Sequence, residues 1–396
     1  MKSLRLIPCA LALLVGTLAY SQESVGDVLD IVRANSPALK VAGGTLEMEK
    51  LQNRAERLPE NPEFEFENVW AEGPDDGFGR EIRVRQGLDF ATVSGMRGKM
   101  AASLDGLSEL RYQAEVVEVM AQARELCARI VFCNLMIDAL TEYEGILDDL
   151  YQTTLRKSEL GEATVLDEGK ARIQLSQIRA RLSRTRMDRA SLLASLRTLA
   201  GKEDLDFNGR VFPEYATGMG FEAWLAEAEL SNPLLRMMEQ EIARTELQLK
   251  MDRSAWVPEL NLGYLYEAGR NERSRGLTLG ISVPLWSNAS RVKSSVAAVN
   301  VAREQRLRQE SEFRALVRDA WDQAVGFREI AAESRACLVE SDNRPLLRKA
   351  LDSGEMSLLD FLLETGLYYD ALESTLSAEL DYHLAMCGLQ RYGGMD

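Results

Sequence analysis

The chain has 396 residues, of which 46% are hydrophobic and 28% are charged, a composition typical of a folded protein rather than a disordered one. Its formal net charge of −15 disfavours nucleic acid as a partner, because phosphate groups would repel so acidic a chain. Beyond the N-terminal segment there is no run of 18 apolar residues, which excludes a membrane-spanning helix in the mature chain.

The N-terminal segment 1–21 has the pattern of a secretory signal. Two basic residues lie near its start, an apolar run spans 6–18, and Ala19 and Ser21 place small residues at the −3 and −1 positions of a cleavage site. We therefore expect the mature chain to begin at Gln22 and to leave the cytoplasm.

Two segments early in the mature chain alternate between apolar and polar residues. This alternation predicts β-strands at about 63–71 and 80–90, joined by a link rich in glycine and aspartate. In the first strand, Phe64, Phe66 and Trp70 would share one face, opposite a row of glutamates. We interpret these aromatic residues as membrane-facing, although an ordinary sheet core would show the same pattern.

A long stretch without proline follows, from residue 75 to residue 212. It is dominated by residues that favour helix, and its apolar residues recur at steps of three and four. These features predict two long helices at about 95–157 and 163–201. A helix of about 55 residues extends about 80 Å, which is far more than an ordinary domain needs.

The same order of elements recurs in the second half of the chain. Alternation predicts strands at about 259–267 and 277–285, and composition predicts long helices at about 288–350 and 357–391. We expect Pro345 to kink the helix that contains it. Aromatic residues again mark this strand pair and are interpreted as membrane-facing: Tyr264, Tyr266 and Trp286.

Matching segments indicate that the two halves are copies of one unit. The clearest match joins 159–167, ELGEATVLD, with 352–360, DSGEMSLLD. Each unit would comprise short helices, two strands, a long helix, a sharp turn and a long helix back. We therefore divide the mature chain into a first repeat at 22–210 and a second repeat at 211–392.

The matching segments predict sharp turns between antiparallel helices. Gly161 and Gly354 would end the incoming helices in a left-handed conformation. A hydroxyl residue would then cap each outgoing helix, with an aspartate near its positive N-terminus. These cap residues and aspartates are Thr164, Ser357, Asp167 and Asp360.

Four strands of about ten residues are long enough to cross a bilayer at a tilt. Four strands cannot close a barrel, however, and open sheet edges are not tolerated in lipid. Either the sheet is soluble, or several chains share one barrel. Three chains would supply twelve strands, which is within the normal range.

In the order, spacing and duplication of these segments, nearly the whole mature chain resembles the TolC-like outer-membrane efflux protein family (outer membrane factors). The resemblance implies a mostly α protomer with four β-strands, built as an internally duplicated β-β-α-α unit. Its long antiparallel helices would form a tunnel in the periplasm, below a 12-stranded β-barrel that a homotrimer shares in the outer-membrane lipid. The protein would be a passive exit duct for an inner-membrane efflux pump, expected to be of the RND type, joined through a periplasmic adaptor (membrane fusion protein).

The resemblance also implies roles for the two turns, which in the family contact the adaptor and close the channel. Leu363 and Met356 stand where some family gates have an acid and an arginine. The residues here at adaptor-contacting positions are Leu160, Gly161, Glu162, Ser353, Gly354 and Glu355. The residues at channel-gate positions are Asp360, Glu364 and Asp167. A simple helix cap would also explain Asp360.

Catalytic signals are weak. The chain has a single histidine, His383, and neither a phosphate-binding glycine loop nor a cluster with metal-ligand spacing. We therefore expect no enzyme activity, no cofactor and no resident metal. The four cysteines beyond the signal segment are expected to be buried free thiols, because a disulfide framework is unusual in a chain this long.

Two other functions fit parts of the sequence. A channel for type I protein secretion would share the architecture, and genome neighbours would distinguish it from an efflux duct. A soluble periplasmic coiled-coil adaptor would share the long helices, but it would need no amphipathic strands of about ten residues.

Overall fold

The computed structural model describes residues 24–70, 78–162, 164–215, 219–269, 272–283, 286 and 288–393. The predicted signal segment 1–21 lies outside the described residues, and so do the last residue of the first predicted strand and the last two of the fourth. Within the described ranges, no helix is both long and apolar enough to cross a membrane.

The first half of the chain folds into two short helices, two strands, a single helical turn and two long helices. Their bounds are α1 Val25–Asn35, α2 Pro37–Glu56, β1 Glu63–Trp70, β2 Phe78–Leu88, α3 Phe90–Val93, α4 Met96–Glu159 and α5 Val165–Ala200. α4 has 64 residues and therefore extends about 96 Å.

The second half repeats this order. Its elements are α6 Phe221–Ser231, α7 Pro233–Ser254, β3 Glu259–Ala268, β4 Arg273–Ser282, α8 Asn288–Glu340, α9 Arg344–Asp352 and α10 Leu358–Gly393. α2 and α7 both begin with proline, at Pro37 and Pro233. Proline lacks a backbone N–H, but no hydrogen bond is lost there, because N–H groups in the first turn of a helix have no partner within the helix.

The four strands form one antiparallel sheet in the order β1-β2-β3-β4. Residues paired across antiparallel strands lie on the same face, so the register divides the sheet into an apolar and a polar face. One row of the apolar face joins Phe64, Val84, Tyr264 and Leu277. We call the end where β1 links to β2 and β3 links to β4 the loop end, and the opposite end the helix end.

The predicted end of the second strand was wrong. β2 ends at Leu88, because Asp89 accepts a hydrogen bond from the N–H of Thr92 and starts a helical turn that includes Phe90. β4 ends at Ser282, so Trp286 lies beyond the strand that was expected to lead to it.

The helix predicted at 288–350 is interrupted. α8 ends at Glu340, and α9 begins at Arg344 after a break of three residues. Pro345 lies in the first turn of α9, where a proline ring fits, whereas inside a continuous helix it would clash with the preceding turn. The sequence therefore predicted the location of the disturbance, but a break replaces the expected kink.

The core lies between the helices. One buried cluster joins α1, α4 and α5, a second joins α4, α5 and α10, and a third joins α6, α8 and α10. Cys127, Cys133 and Cys387 are buried free thiols, as expected, and burial raises the pKa of Cys127 to about 12. Cys337 is also a free thiol, but it is exposed.

His383 of α10 lies within an aromatic cluster. Its ring stacks on Phe212 with the ring centroids 4.3 Å apart, and Tyr215 and Tyr382 flank it. Burial lowers the pKa of His383 to about 4, so the imidazole is neutral at pH 7. The histidine is a packing residue of the core.

Replacing Gly201 with alanine is expected to lower the free energy of unfolding by at least about 2 kcal/mol. Gly201 has a φ of +62°, and a Cβ there would lie 2.8 Å from Cδ of Pro37 and 2.9 Å from the carbonyl oxygen of Asn35. The matched control is Gly145→Ala, because that helical glycine has open space around it and alanine favours helix. The measurement is the apparent unfolding temperature of each variant relative to the wild-type protein. Equal decreases for Gly201→Ala and Gly145→Ala would contradict the predicted steric clash at Gly201.

The stability of the protein is expected to fall between pH 6.5 and pH 4 through His383. An unfolded histidine titrates near 6.5 and the folded one at about 4, so the unfolded chain binds the extra proton in that window. The His383→Phe variant should lose less stability over this range, while keeping the stack on Phe212. The measurement is the apparent unfolding temperature of both proteins at several pH values. Equal losses of stability in the wild-type protein and the variant would show that groups other than His383 determine the pH dependence.

Candidate functional site

The turn between α4 and α5 is the first candidate site. Gly161, with a φ of +78°, ends α4, and the N–H of Glu162 donates to the carbonyl of Lys157 at 2.8 Å. Thr164 then caps α5, since its hydroxyl accepts from the N–H of Asp167 at 3.2 Å and donates to the carboxylate of Asp167 at 2.7 Å.

The turn between α9 and α10 is built in the same way. Gly354 has a φ of +75°, and the N–H of Glu355 donates to the carbonyl of Ala350 at 2.9 Å. The hydroxyl of Ser357 accepts from the N–H of Asp360 at 3.2 Å and donates to its carboxylate at 2.6 Å. Two turns with one hydrogen-bond pattern are the local result of the duplication.

Of the three residues expected at the gate, two are bound to the cap residues of their helices and one is exposed on a helix surface. Asp167 and Asp360 are both engaged as cap residues of their own helices. The hydroxyl of Thr164, helped by Lys170, holds the pKa of Asp167 below its usual value. Glu364 lies one helical turn beyond Asp360 on the exposed face of α10. In the single chain, therefore, two of the three carboxylates lie at the starts of two different helices, and Glu364 lies further along the second of them.

Apolar side chains are exposed around both turns. Leu160 at the first turn is 74% exposed. On α10, three exposed leucines follow at steps of four and form a stripe along one helix face: Leu359, Leu363 and Leu367. Exposed apolar patches of this kind are typical of surfaces that a partner covers.

Both turns lie at the same end of the helical bundle. Arg344 contacts Glu142 at 3.0 Å, and Arg348 contacts Asp149 at 2.9 Å. The residue numbers rise together in these two pairs, so α9 runs parallel to the last part of α4. The turn after α4 and the turn after α9 therefore lie next to each other.

Arg344 joins the break between α8 and α9 to two other helices. Its guanidinium makes two hydrogen bonds of 2.8 Å to Asp342 and lies 4.1 Å from the ring centre of Tyr368 on α10. The neighbouring Tyr369 stacks on Tyr143 of α4 with the ring centroids 4.1 Å apart. Asp342 raises the pKa of Arg344, and Arg344 lowers the pKa of Asp342, as expected for a charge-assisted pair.

The apolar face of the sheet is uncovered in the single chain. Phe64 is 74% exposed and Leu277 is 88% exposed, although both have large apolar side chains. Most of the other large apolar side chains on this face are also exposed, to between 42% and 74%: Phe66, Trp70, Leu260, Leu262, Tyr264, Leu279 and Ile281. Of the aromatic residues predicted to face the membrane, Tyr266 is half-buried and Trp286 is exposed outside the strand.

The opposite face of the sheet is charged. Arg83 pairs with Glu65 at 2.9 Å and with Glu81, and Arg85 pairs with Glu65 at 3.1 Å. Nearer the loop end, three glutamates stand side by side in one row across β1, β2 and β3, and we call them the glutamate row: Glu67, Glu81 and Glu267. A face of this kind requires water.

A four-stranded amphipathic sheet on long, duplicated helix pairs is the fold of outer-membrane channel proteins, which confirms the resemblance in fold that the sequence indicated. The chain superposes on the CmeC outer membrane channel of Campylobacter jejuni with a TM-score of 0.78 at 16% identity, over 93% of this chain and 85% of that chain. The structure of the open state of the MtrE outer membrane channel of Neisseria gonorrhoeae gives a TM-score of 0.75 at 13% identity, over 94% and 89%.

A third similar structure is the outer membrane protein VceC of Vibrio cholerae, with a TM-score of 0.74 at 11% identity over 93% of this chain and 96% of that chain. At such identities the likeness shows the fold. Neither models of protein families nor curated proteins match the sequence.

Sequence reasoning located the two turns but missed Arg344. Both turns carry a local pattern of glycine, hydroxyl residue and aspartate that can be read without the fold. Arg344 gains its role only when Glu142 and Tyr368, which are distant in the sequence, come together around it. The proline at 345 was the one available signal.

Replacing Arg344 with methionine is expected to lower the free energy of unfolding by about 1–2 kcal/mol, because the charge-assisted bonds and the cation–π contact are lost together. Amide hydrogen exchange in α9 should rise. The control is Arg308→Met, since that arginine is exposed and forms a helix-surface pair with Glu312 at 3.6 Å. Unchanged exchange in α9 would contradict the proposed contact network.

Proposed function

We propose that this protein is the outer-membrane exit duct of a tripartite efflux system. It passively conducts small molecules or metal ions that an inner-membrane pump, expected to be of the RND type, delivers through a periplasmic adaptor. The observation that carries the proposal is the amphipathic sheet, whose apolar face is exposed while its opposite face is charged.

The apolar face supports contact with lipid. Exposing so many aromatic and aliphatic side chains to water is unfavourable, at roughly 25 cal/mol for each Å². Alternation between a lipid face and a water face is the pattern of strands in outer-membrane barrels. The charged face, with Arg83, Arg85 and the glutamate row, would then line an aqueous passage.

The sheet edges support a shared barrel. Among the described residues, β1 and β4 each pair on one side only, because the strand order ends with them. Unpaired backbone groups of an edge strand are costly in hydrocarbon, so each edge needs a neighbour. In a homotrimer, β4 of one protomer would pair with β1 of the next, which closes a 12-stranded barrel across the outer membrane and leaves the helices in the periplasm.

The two turns would form the opposite, periplasmic end of the duct. We infer that the adaptor contacts them at the six positions around Gly161 and Gly354 named above. Both glycines have positive φ values and reverse the chain sharply. Leu160 places an exposed apolar side chain at the first turn. Asp167, Asp360 and Glu364 would contribute negative charge to the closed end, where a ring of carboxylates attracts cations.

Reconstitution tests the proposal. The mature chain, extracted in detergent from the outer-membrane fraction, should be a trimer and should conduct ions across a planar bilayer. A soluble monomer without conductance would refute the duct. Deletion of the gene should increase sensitivity to drugs or metal ions, whereas loss of one secreted protein without such sensitivity would indicate a type I secretion channel.

Replacing Gly161 and Gly354 together with valine is expected to impair export while trimers persist. A β-branched residue disfavours the left-handed conformation, and the open space around both glycines means that no neighbour within the chain is displaced. The matched control is Gly169→Val, a helical glycine of α5 that also has open space around it. Resistance of cells to the exported drug or metal is the measurement; unchanged resistance in the double variant would argue against a role for the turns.

A further inference from the structure

The apolar face of the sheet changes character toward the loop end. In the part of this face nearer the helix end, the side chains paired across β2, β3 and β4 are mostly aliphatic or aromatic. At the loop end the same face carries three arginines, and all three are exposed: Arg80, Arg273 and Arg275. We call them the arginine patch.

The register places the three arginines close together. Arg80 and Arg273 both pair with Ala268 on β3, one from each side, so their backbones are about 10 Å apart across two strand spacings. Arg275 is two residues along β4 from Arg273, at about 7 Å, and pairs with Tyr266. The arginine patch therefore measures about 10 Å across the strands and about 7 Å along β4 between backbone positions.

Charge on this face is all of one sign. Strand alternation puts every glutamate of the four strands on the opposite face, including the glutamate row at a similar level. Arg80 also lies 5.8 Å from the ring centre of Phe66, which belongs to the apolar band. A partner that suits this surface must therefore offer both an apolar body and an anionic group at one end.

We propose that the arginine patch binds the headgroup phosphates of anionic lipid in the membrane leaflet at the loop end of the sheet. Guanidinium groups bind phosphate oxygens through paired hydrogen bonds, and the acyl chains of the same lipid would lie on the apolar rows next to the patch. This inference rests on the proposed membrane location of the sheet, and it adds the lipid class and the leaflet. Arginines that merely reach past the apolar band to water would bind no particular headgroup.

The test uses the full mature trimer reconstituted in vesicles of phosphatidylcholine with phosphatidic acid. After gentle extraction, the ratio of the two lipids that remain bound is measured by native mass spectrometry. Wild-type protein should enrich phosphatidic acid. The variant Arg80→Gln/Arg273→Gln/Arg275→Gln should lose that enrichment, by about fivefold for each arginine removed.

A matched control removes the same charge elsewhere. Arg172, Arg184 and Arg186 are exposed arginines of α5, outside the sheet, and their change to glutamine should leave the enrichment intact. Enrichment that persists in the patch variant, or that disappears equally in the control, would overturn the proposal. Binding of inorganic phosphate by calorimetry without any lipid preference would also overturn it, because the site would then take the free anion.

Conductance separates this inference from the proposed function. If wild-type protein forms conducting trimers but shows no preference for phosphatidic acid, the lipid site is refuted and the duct stands. If the protein neither inserts nor conducts, both are refuted. A patch variant that conducts normally and has lost the lipid preference supports both.

Discussion

The uncovered apolar face of the sheet is the constraint on which the rest of the molecule depends. In the part of the chain that the structure describes, four strands leave this face and the outer edges of β1 and β4 uncovered and place charged residues on the other side. Only surroundings that are apolar on one side and aqueous on the other satisfy both faces. In the proposed duct, the helices beneath the sheet, each pair ending in a capped turn, would form the walls that continue the aqueous side.

Duplication explains why the two halves of the chain use the same local features to form their helices, strands and turns. Both halves use proline to start the second helix, alternation to form two strands and a left-handed glycine to reverse direction. The halves differ because α4 is continuous, whereas its counterpart in the second half breaks between α8 and α9; beside that break, Arg344 of α9 contacts α4 and α10. The two turns are thus alike in local hydrogen bonding but unlike in what holds them in place.

The sequence predicted those parts of the structure that depend on local chemistry. Strand faces follow from alternation, and the caps at Thr164 and Ser357 follow from their spacing to an aspartate. The end of β2 was missed because Asp89 can continue a strand or cap a helix, and only the backbone decides. The contact of Arg344 with Glu142 could not be predicted, because it joins residues about 200 positions apart.

The glutamate row also has a consequence for assembly. Side chains alternate with a period of two, so in the proposed barrel a slip of β1 by one residue against β2 would turn the side chains of β1 over, with Glu67 toward hydrocarbon and Phe66 toward water. Such a strand pair could not partition into a bilayer at an acceptable free energy. In the proposed duct, insertion into the membrane would therefore favour correctly paired hairpins over slipped ones before the trimer closes.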